Sequence, residues 1–313
     1  MAEMVNKATR QSFGEAVTAI AKENPDIIVL DADLAAATMT GIFQKEFPER
    51  FIDCGIAECN MIGIAAGLAT CGKIPFAASF AMFSAGRAFE QVRNSVGYPH
   101  LNVKVVGSHA GISVGEDGAS HQCCEDIALM RTIPGMVVLN PADHYEMQAA
   151  VQAAAAYEGP VYIRLGRLPV ESFNNGDDYK FEMGKGITLM DGNDITVVAT
   201  GLMVSRALQA VQSLKDQGIS ARLINIHTIK PLDEEIILKA ARETGKIVTV
   251  EEHNVIGGLG EAVSSVLCTN YPVPVRKIGV YDTFGHSGPA VKLLDEFGLN
   301  AENIEKTVKE MLK

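Results

Sequence analysis

The sequence has 313 residues, 47% of them hydrophobic, which is enough for two cores of ordinary size. Its 27 Lys and Arg against 38 Asp and Glu leave a formal charge of -11. That sign argues against nucleic acid and anionic membrane as partners, because both need a basic surface to release counterions or meet phosphates.

No run approaches the roughly 18 apolar residues of a membrane helix, and the polar first eleven residues carry no targeting signal, so a cytoplasmic protein is expected. The six cysteines, at 54, 59, 71, 123, 124 and 268, show no C-x-x-C spacing. Five of them stand among apolar or small residues, the setting of reduced core thiols rather than of disulfides or zinc.

In chain order, short β-branched runs recur at 27–30, 51–54, 103–106, 137–139 and 161–165, with helical spacing between them. This predicts an α/β domain with a mainly parallel sheet. From 169 to 194 the chain turns polar and glycine-rich, as a connector does, and a boundary is placed near 185–193. The resulting domains are 1–188 and 189–313. In the second, strands at 195–199, 221–226, 246–250 and 276–280 alternate with helices at 205–216 and 233–243. Ligands of open parallel sheets sit beyond the carboxyl ends of the strands, so those positions carry the chemistry.

After the run ending at Cys54 comes GIAECNMIGIAAGLA, a turn and then a helix so rich in apolar and small residues that burial on most sides is expected. Glu58 opens it. Either it is a charge at an exposed helix end, where the dipole favours it, or it is a buried acid aimed at a ligand. Phe80 and Phe83 follow a probable strand, with the spacing of ordinary core residues. Residues 109–122, HAGISVGEDGASHQ, crowd two histidines and two acids among glycines. The alternating acids of a calcium loop are missing, and His109 and His121 lack the spacing of a zinc pair. Recognition of hydroxyl or phosphate groups fits this loop better.

Taken together, GEDGASHQ, the glutamate segment, SFAMF at 79–83 and DTFGHSG at 282–288 resemble, in order and over essentially the whole chain, the C-terminal two domains of transketolase, a thiamine-diphosphate enzyme. The GEDG-x-x-HQ loop is the most specific element. The resemblance implies a pyrimidine-binding domain followed by a transketolase C-terminal domain, and transfer of a two-carbon ketol unit from a ketose to an aldose. It implies that Glu58 bonds a ring nitrogen of the cofactor's pyrimidine, that Phe80 and Phe83 wall that ring, and that Asp33 lies near it. His121, with a catalytic role, and Asp117 are implied to orient the substrate, while Arg10, His109 and Arg167 bind a sugar phosphate.

The Gly-Asp-Gly and Asn motif that holds the diphosphate and a divalent metal in the family has no counterpart here. Asp117-Gly118, Gly176-Asp177 and Asp191-Gly192 do not follow strands in the required way. No metal ligand is therefore assigned to this chain. An N-terminal-half partner subunit is expected to hold Mg2+ or another divalent cation, in a heterotetramer in which this chain dimerises. Two positions depart from the family pattern: a usual serine is Ala37, and an expected aromatic is Gly86. Both leave the identity of the sugar open. The alternatives are half of a related carboligase resembling 1-deoxyxylulose-5-phosphate synthase, a 2-oxo acid dehydrogenase β subunit, and a non-catalytic regulatory subunit. His253, His286 and the glycines from 257 to 260 read as ordinary loop and helix-start features.

Overall fold

A computed structural model describes residues 4–174 and 179–313; Gly176 and Asp177 fall outside them. The first sheet has seven strands, in spatial order Thr228–Lys230, Val137–Leu139, Val161–Arg164, Lys104–Ser108, Ile74–Phe80, Ile27–Asp31 and Phe51–Asp53. Six of these run parallel, and only Thr228–Lys230 is antiparallel to its neighbour. The second sheet orders Val275–Val280, Ile247–Asn254, Ile195–Ala199, Ala221–Asn225 and Ile187–Met190, with the last strand an antiparallel edge. The chain is thus α/β with two mainly parallel sheets.

Central strands such as Lys104–Ser108 and Val161–Arg164 are buried along their whole length, because helices cover both faces of the sheet. On one face, Thr9–Ala21 and His144–Ala156 pack Phe13, Val17, Met147 and Val151 against Ile27, Val29, Phe76 and Ile163. On the other, Glu58–Thr70 and the helical segment after Phe80 bring Met61, Ile62, Val92 and Val96 onto Leu30, Ala77 and Val105. That second core runs on through Ile224, Ile226, Ile229, Leu259 and Val263. The two sequence-defined domains therefore share apolar packing.

Three expectations need correction. Residues 187–190, inside the polar stretch read as a connector, form an edge strand, and 228–230, beyond the boundary, complete the first sheet. Both strands are too short to impose a period on the sequence. The helix Glu58–Thr70 buries Met61, Ile62, Ala65 and Ala66 but leaves Asn60, Gly63, Gly67 and Thr70 exposed, so it is covered on one side only. All six cysteines are free, yet Cys71 and Cys268 are exposed; only Cys123 and Cys124 are core thiols.

Two buried polar clasps tie the halves together. Arg164 donates from Nε to Asp126 Oδ2 at 2.8 Å and from Nη2 to the Glu252 carbonyl at 2.8 Å, while Tyr162 donates its hydroxyl to the same Asp126 oxygen at 2.8 Å. Burial alone would raise the Asp126 carboxyl, but the Arg164 charge overrides it and holds the group ionised. Glu146 accepts from the Ala142 amide at 2.6 Å, from Tyr179 at 2.5 Å and from Asn225 at 2.8 Å, joining a helix start, the connector and the second sheet.

Candidate active site

Five adjacent strands of the first sheet end at one edge, and the residues after them meet there. Glu58 is the first residue of its helix, where the free backbone N–H groups favour a negative charge. It is only 3% exposed, and its Oε2 has no hydrogen-bond partner. The exposed helix-end reading is thereby set aside: Glu58 is a buried acid with an unused oxygen, a rare state in a folded protein. The nearest cation is Arg87, whose Nη1 lies 3.9 Å from that oxygen and whose guanidinium lies 5.5 Å from the centroid of the Phe83 ring. Met82–Arg87 forms a π-helical turn, a form often found at functional sites. Arg87 escaped the sequence reading because its only signal is a four-residue step from Phe83.

Phe80 and Phe83 stack with ring centroids 6.1 Å apart and planes at 14°. They are the joint at which the distant histidines meet. His109 lies 4.2 Å from Phe80, and His121 meets Phe83 edge-on at 5.2 Å. The core-only reading of this aromatic pair is too narrow, since Phe83 remains partly open. Among the described residues, no group of three or more His, Cys, Asp and Glu side chains is placed to hold a metal ion.

His109 has φ 55°, with Nδ1 2.9 Å from Ser108 Oγ and Nε2 3.4 Å from Arg10 Nη1. Burial, followed by the charges of Arg10 and Arg167, pushes its pKa down to about 3. The ring is therefore neutral near pH 7. Because a guanidinium can only donate, Nε2 is the acceptor and the ring proton sits on Nδ1, donating toward Ser108.

The two arginines are brought together by the chain ends of the domain. Asn6–Ala8 pairs antiparallel with Pro169–Glu171, and the Gly166 amide donates to Thr9 Oγ1 at 2.8 Å. Arg10 donates from Nη1 to the Ala37 carbonyl at 2.7 Å, while its buried Nε has no partner. Burial and then Arg167 lower the Arg10 pKa, the signature of crowded cations. Arg167 donates to the Val114 carbonyl and to Glu116 Oε2, the latter at 2.6 Å. Two forked cations beside a neutral imidazole suit a tetrahedral anion.

Two predicted acids stand apart. Asp117 is exposed on the outer turn of its loop, and among the described residues no hydrogen bond or ion pair ties it to the histidines. Asp33 is exposed with φ 62°, its amide donating to Asp53 Oδ1 at 3.1 Å. The buried acid of that loop is Asp31, which accepts from the Leu34 amide at 2.6 Å, Thr38 at 2.7 Å and Thr40 at 2.8 Å, and whose pKa burial pushes up. Asp31 shapes the loop that carries Ala37 to Arg10. At Gly86, a Cβ would lie 2.3 Å from the terminal methyl of Met82, so that flexible side chain occupies the space beside it.

Comparison with known proteins agrees with this architecture. The family model for the transketolase pyrimidine binding domain matches residues 6–171, and that for the transketolase C-terminal domain matches 184–304. The 6-deoxy-6-sulfo-D-fructose transketolase subunit SqwH of a Clostridium species is 45% identical, over 96% of this chain and 94% of that one. An apulose-4-phosphate transketolase subunit of Phocaeicola vulgatus is 42% identical, over 98% of each chain. A solved structure described as a split gene transketolase, inactive beta4 tetramer, superimposes with a TM-score of 0.91 at 51% identity and covers 98% of both chains. With two family models in sequence and relatives of matching length, the chain belongs to the transketolase family and corresponds to its C-terminal half.

Proposed function

We propose that this chain is the C-terminal subunit of a split, thiamine-diphosphate-dependent transketolase that moves a two-carbon ketol unit from an anionic ketose to an aldose. Glu58 carries the reading. A buried carboxylate with an unpaired oxygen, linked through Arg87 to Phe83 of a stacked aromatic pair, fits the ring nitrogen of an aminopyrimidine.

Bound thiamine diphosphate would supply a carbon nucleophile for the ketose carbonyl. Glu58 would hold a proton at the pyrimidine nitrogen. Phe80 and Phe83 exclude water, which strengthens that hydrogen bond. His121, set edge-on to Phe83, acts on the carbonyl and hydroxyl groups of the sugar, and Asp117, exposed on the same loop, is assigned to the sugar's hydroxyl groups. Asp33 is assigned to the cofactor side of the same sheet edge.

Arg10, Arg167 and neutral His109 take the charged end of the sugar. The relatives named above for a sulfonated and a phosphorylated sugar have a tetrahedral anion in common, which supports a phosphate or sulfonate substrate. The diphosphate and its Mg2+ or other divalent cation are assigned to an N-terminal-half partner, in a heterotetramer built on a dimer of this chain. The description of a similar split-gene chain as an inactive tetramer supports that assignment. Cytoplasmic residence belongs to the same proposal, and the six unpaired cysteines support it.

The test is ketol transfer by this chain reconstituted with an N-terminal-half subunit, thiamine diphosphate and Mg2+. Wild type is expected to turn over. Glu58→Ala is expected to assemble normally and lose turnover by at least about a hundredfold. Undiminished turnover in the variant removes Glu58 from the mechanism.

A further inference from the structure

The loop 109–122 belongs by sequence to the first domain, yet much of its support comes from the second. Ile112 and Cys124 lie in one core with Val250, Ile278 and Leu293. The Ser113 amide donates to Glu252 Oε1 at 2.7 Å. Gln122 donates from Nε2 to the His286 carbonyl at 3.0 Å and to Ile112, within its own loop, at 3.2 Å.

The glycines of the loop mark how closely the second domain approaches. Gly111 and Gly118 have φ 86° and 75°, a region that disfavours other residues. A Cβ at Gly111 would lie 2.4 Å from Glu252 Oε1, and one at Gly118 would lie 2.4 Å from Ser287 Oγ. Both glycines are therefore required twice, by backbone conformation and by the neighbouring domain.

Glu252 is itself fixed in place, since its carbonyl accepts from Arg164, which in turn holds Asp126. Its neighbour Glu251 has a different task. Both Glu251 oxygens cap the helix start at the Leu259 and Gly260 amides, at 2.6 and 2.8 Å. Of two adjacent buried acids, one secures its own domain and the other reaches across to the loop.

We propose that Glu252 is a positioning residue for the substrate loop: from the second domain it fixes residues 111–113, and thereby the places at which His109, Asp117 and His121 present their side chains. The contact between Gln122 and His286 is the second brace. The inference rests on the transketolase reading for its catalytic consequence, but the bracing itself can be measured without it. A buried carboxylate that satisfies a loop amide is worth most where a small displacement of reacting groups is costly.

The test has two arms. In the first, hydrogen exchange of the chain alone compares wild type, Glu252→Ala, Glu252→Gln and Gly285→Ala. The last variant acts from the partly exposed segment 285–288, where a Cβ would lie 2.1 Å from Gln122 Oε1. Glu252→Ala and Gly285→Ala are expected to speed exchange of the 111–122 amides about tenfold or more relative to strand Ile27–Asp31. Glu252→Gln is expected to restore most of the protection, because its amide oxygen still accepts from Ser113.

In the second arm, with the reconstituted pair, Glu252→Ala is expected to lower kcat/KM by up to about a hundredfold, with Glu252→Gln recovering most of the loss. Unchanged loop exchange in both Glu252→Ala and Gly285→Ala overturns the brace. Faster exchange with unchanged kcat/KM overturns the positioning role. A wild-type pair without transfer overturns the functional reading, and the exchange comparison then decides the brace by itself.

Discussion

His109 shows how burial converts an ordinary side chain into a specific tool. Held neutral, it accepts from Arg10 through Nε2 and leaves the positive charge near it to Arg10 and Arg167, adding no third charge. Its depressed pKa also has a stability consequence. The folded ring stays neutral down to about pH 3, whereas an unfolded imidazole takes a proton near 6.5. Between those values the unfolded state binds more protons, so stability present above 6.5 is lost as the pH falls. His109→Asn is therefore expected to show a shallower decline than wild type in urea unfolding between pH 6.5 and 4. Equal slopes would place His109 in a less buried setting. Arg10→Ala is expected to raise KM for a phosphorylated or sulfonated ketose at least about tenfold while affecting an uncharged ketose little. Equal effects on both would remove Arg10 from the anion site. Glu58 was legible in the sequence as an acid opening an apolar helix. Asp31 was marked only by its place at the end of a strand, although its donors Leu34, Thr38 and Thr40 are near neighbours in sequence, and Arg87 was not marked at all, because its proximity to Glu58 arises only once the chain folds back on itself.

Among the elements, the helix His144–Ala156 shows how a cap can serve a larger purpose. Asp143 caps it by accepting from the Glu146 amide at 2.9 Å, and its second oxygen takes the Phe173 and Asn174 amides, each at 3.0 Å. Glu146 extends the clasp to Tyr179 and Asn225, and burial lifts its pKa to about 7. Glu146→Ala would leave several buried donors without acceptors, and the expected loss is about 3 kcal/mol or more of unfolding free energy. A loss below about 1 kcal/mol in urea titration would show that water or local rearrangement replaces the clasp. Strands such as Ile27–Asp31, Lys104–Ser108 and Ile195–Ala199 were readable because burial on both faces writes β-branched runs into the sequence, whereas Ile74–Phe80, with one β-branched residue, showed only as a probable strand before Phe80. Asn6–Ala8, Pro169–Glu171, Ile187–Met190 and Thr228–Lys230 were not readable, since they lie at sheet edges or in an isolated pair and are set by distant partners rather than by a fully buried apolar run.

Across the whole molecule, the boundary seen in composition does not separate two independent bodies. One apolar core, a shared sheet, the Asp126–Arg164–Glu252 chain and the braced loop all cross it. The second domain, silent in a search for catalytic residues, thus acquires a task through position. The site it supports has a buried acid and an aromatic pair at one end and two arginines beside a neutral histidine at the other. We propose that these become a working transketolase only with a partner that holds the diphosphate and metal. Ketol transfer should be measured with this chain alone, with the N-terminal-half subunit alone, and with an equimolar mixture, each supplied with thiamine diphosphate and Mg2+. Transfer is expected in the mixture only, and full transfer by this chain alone would contradict the assignment of the diphosphate and metal to a partner.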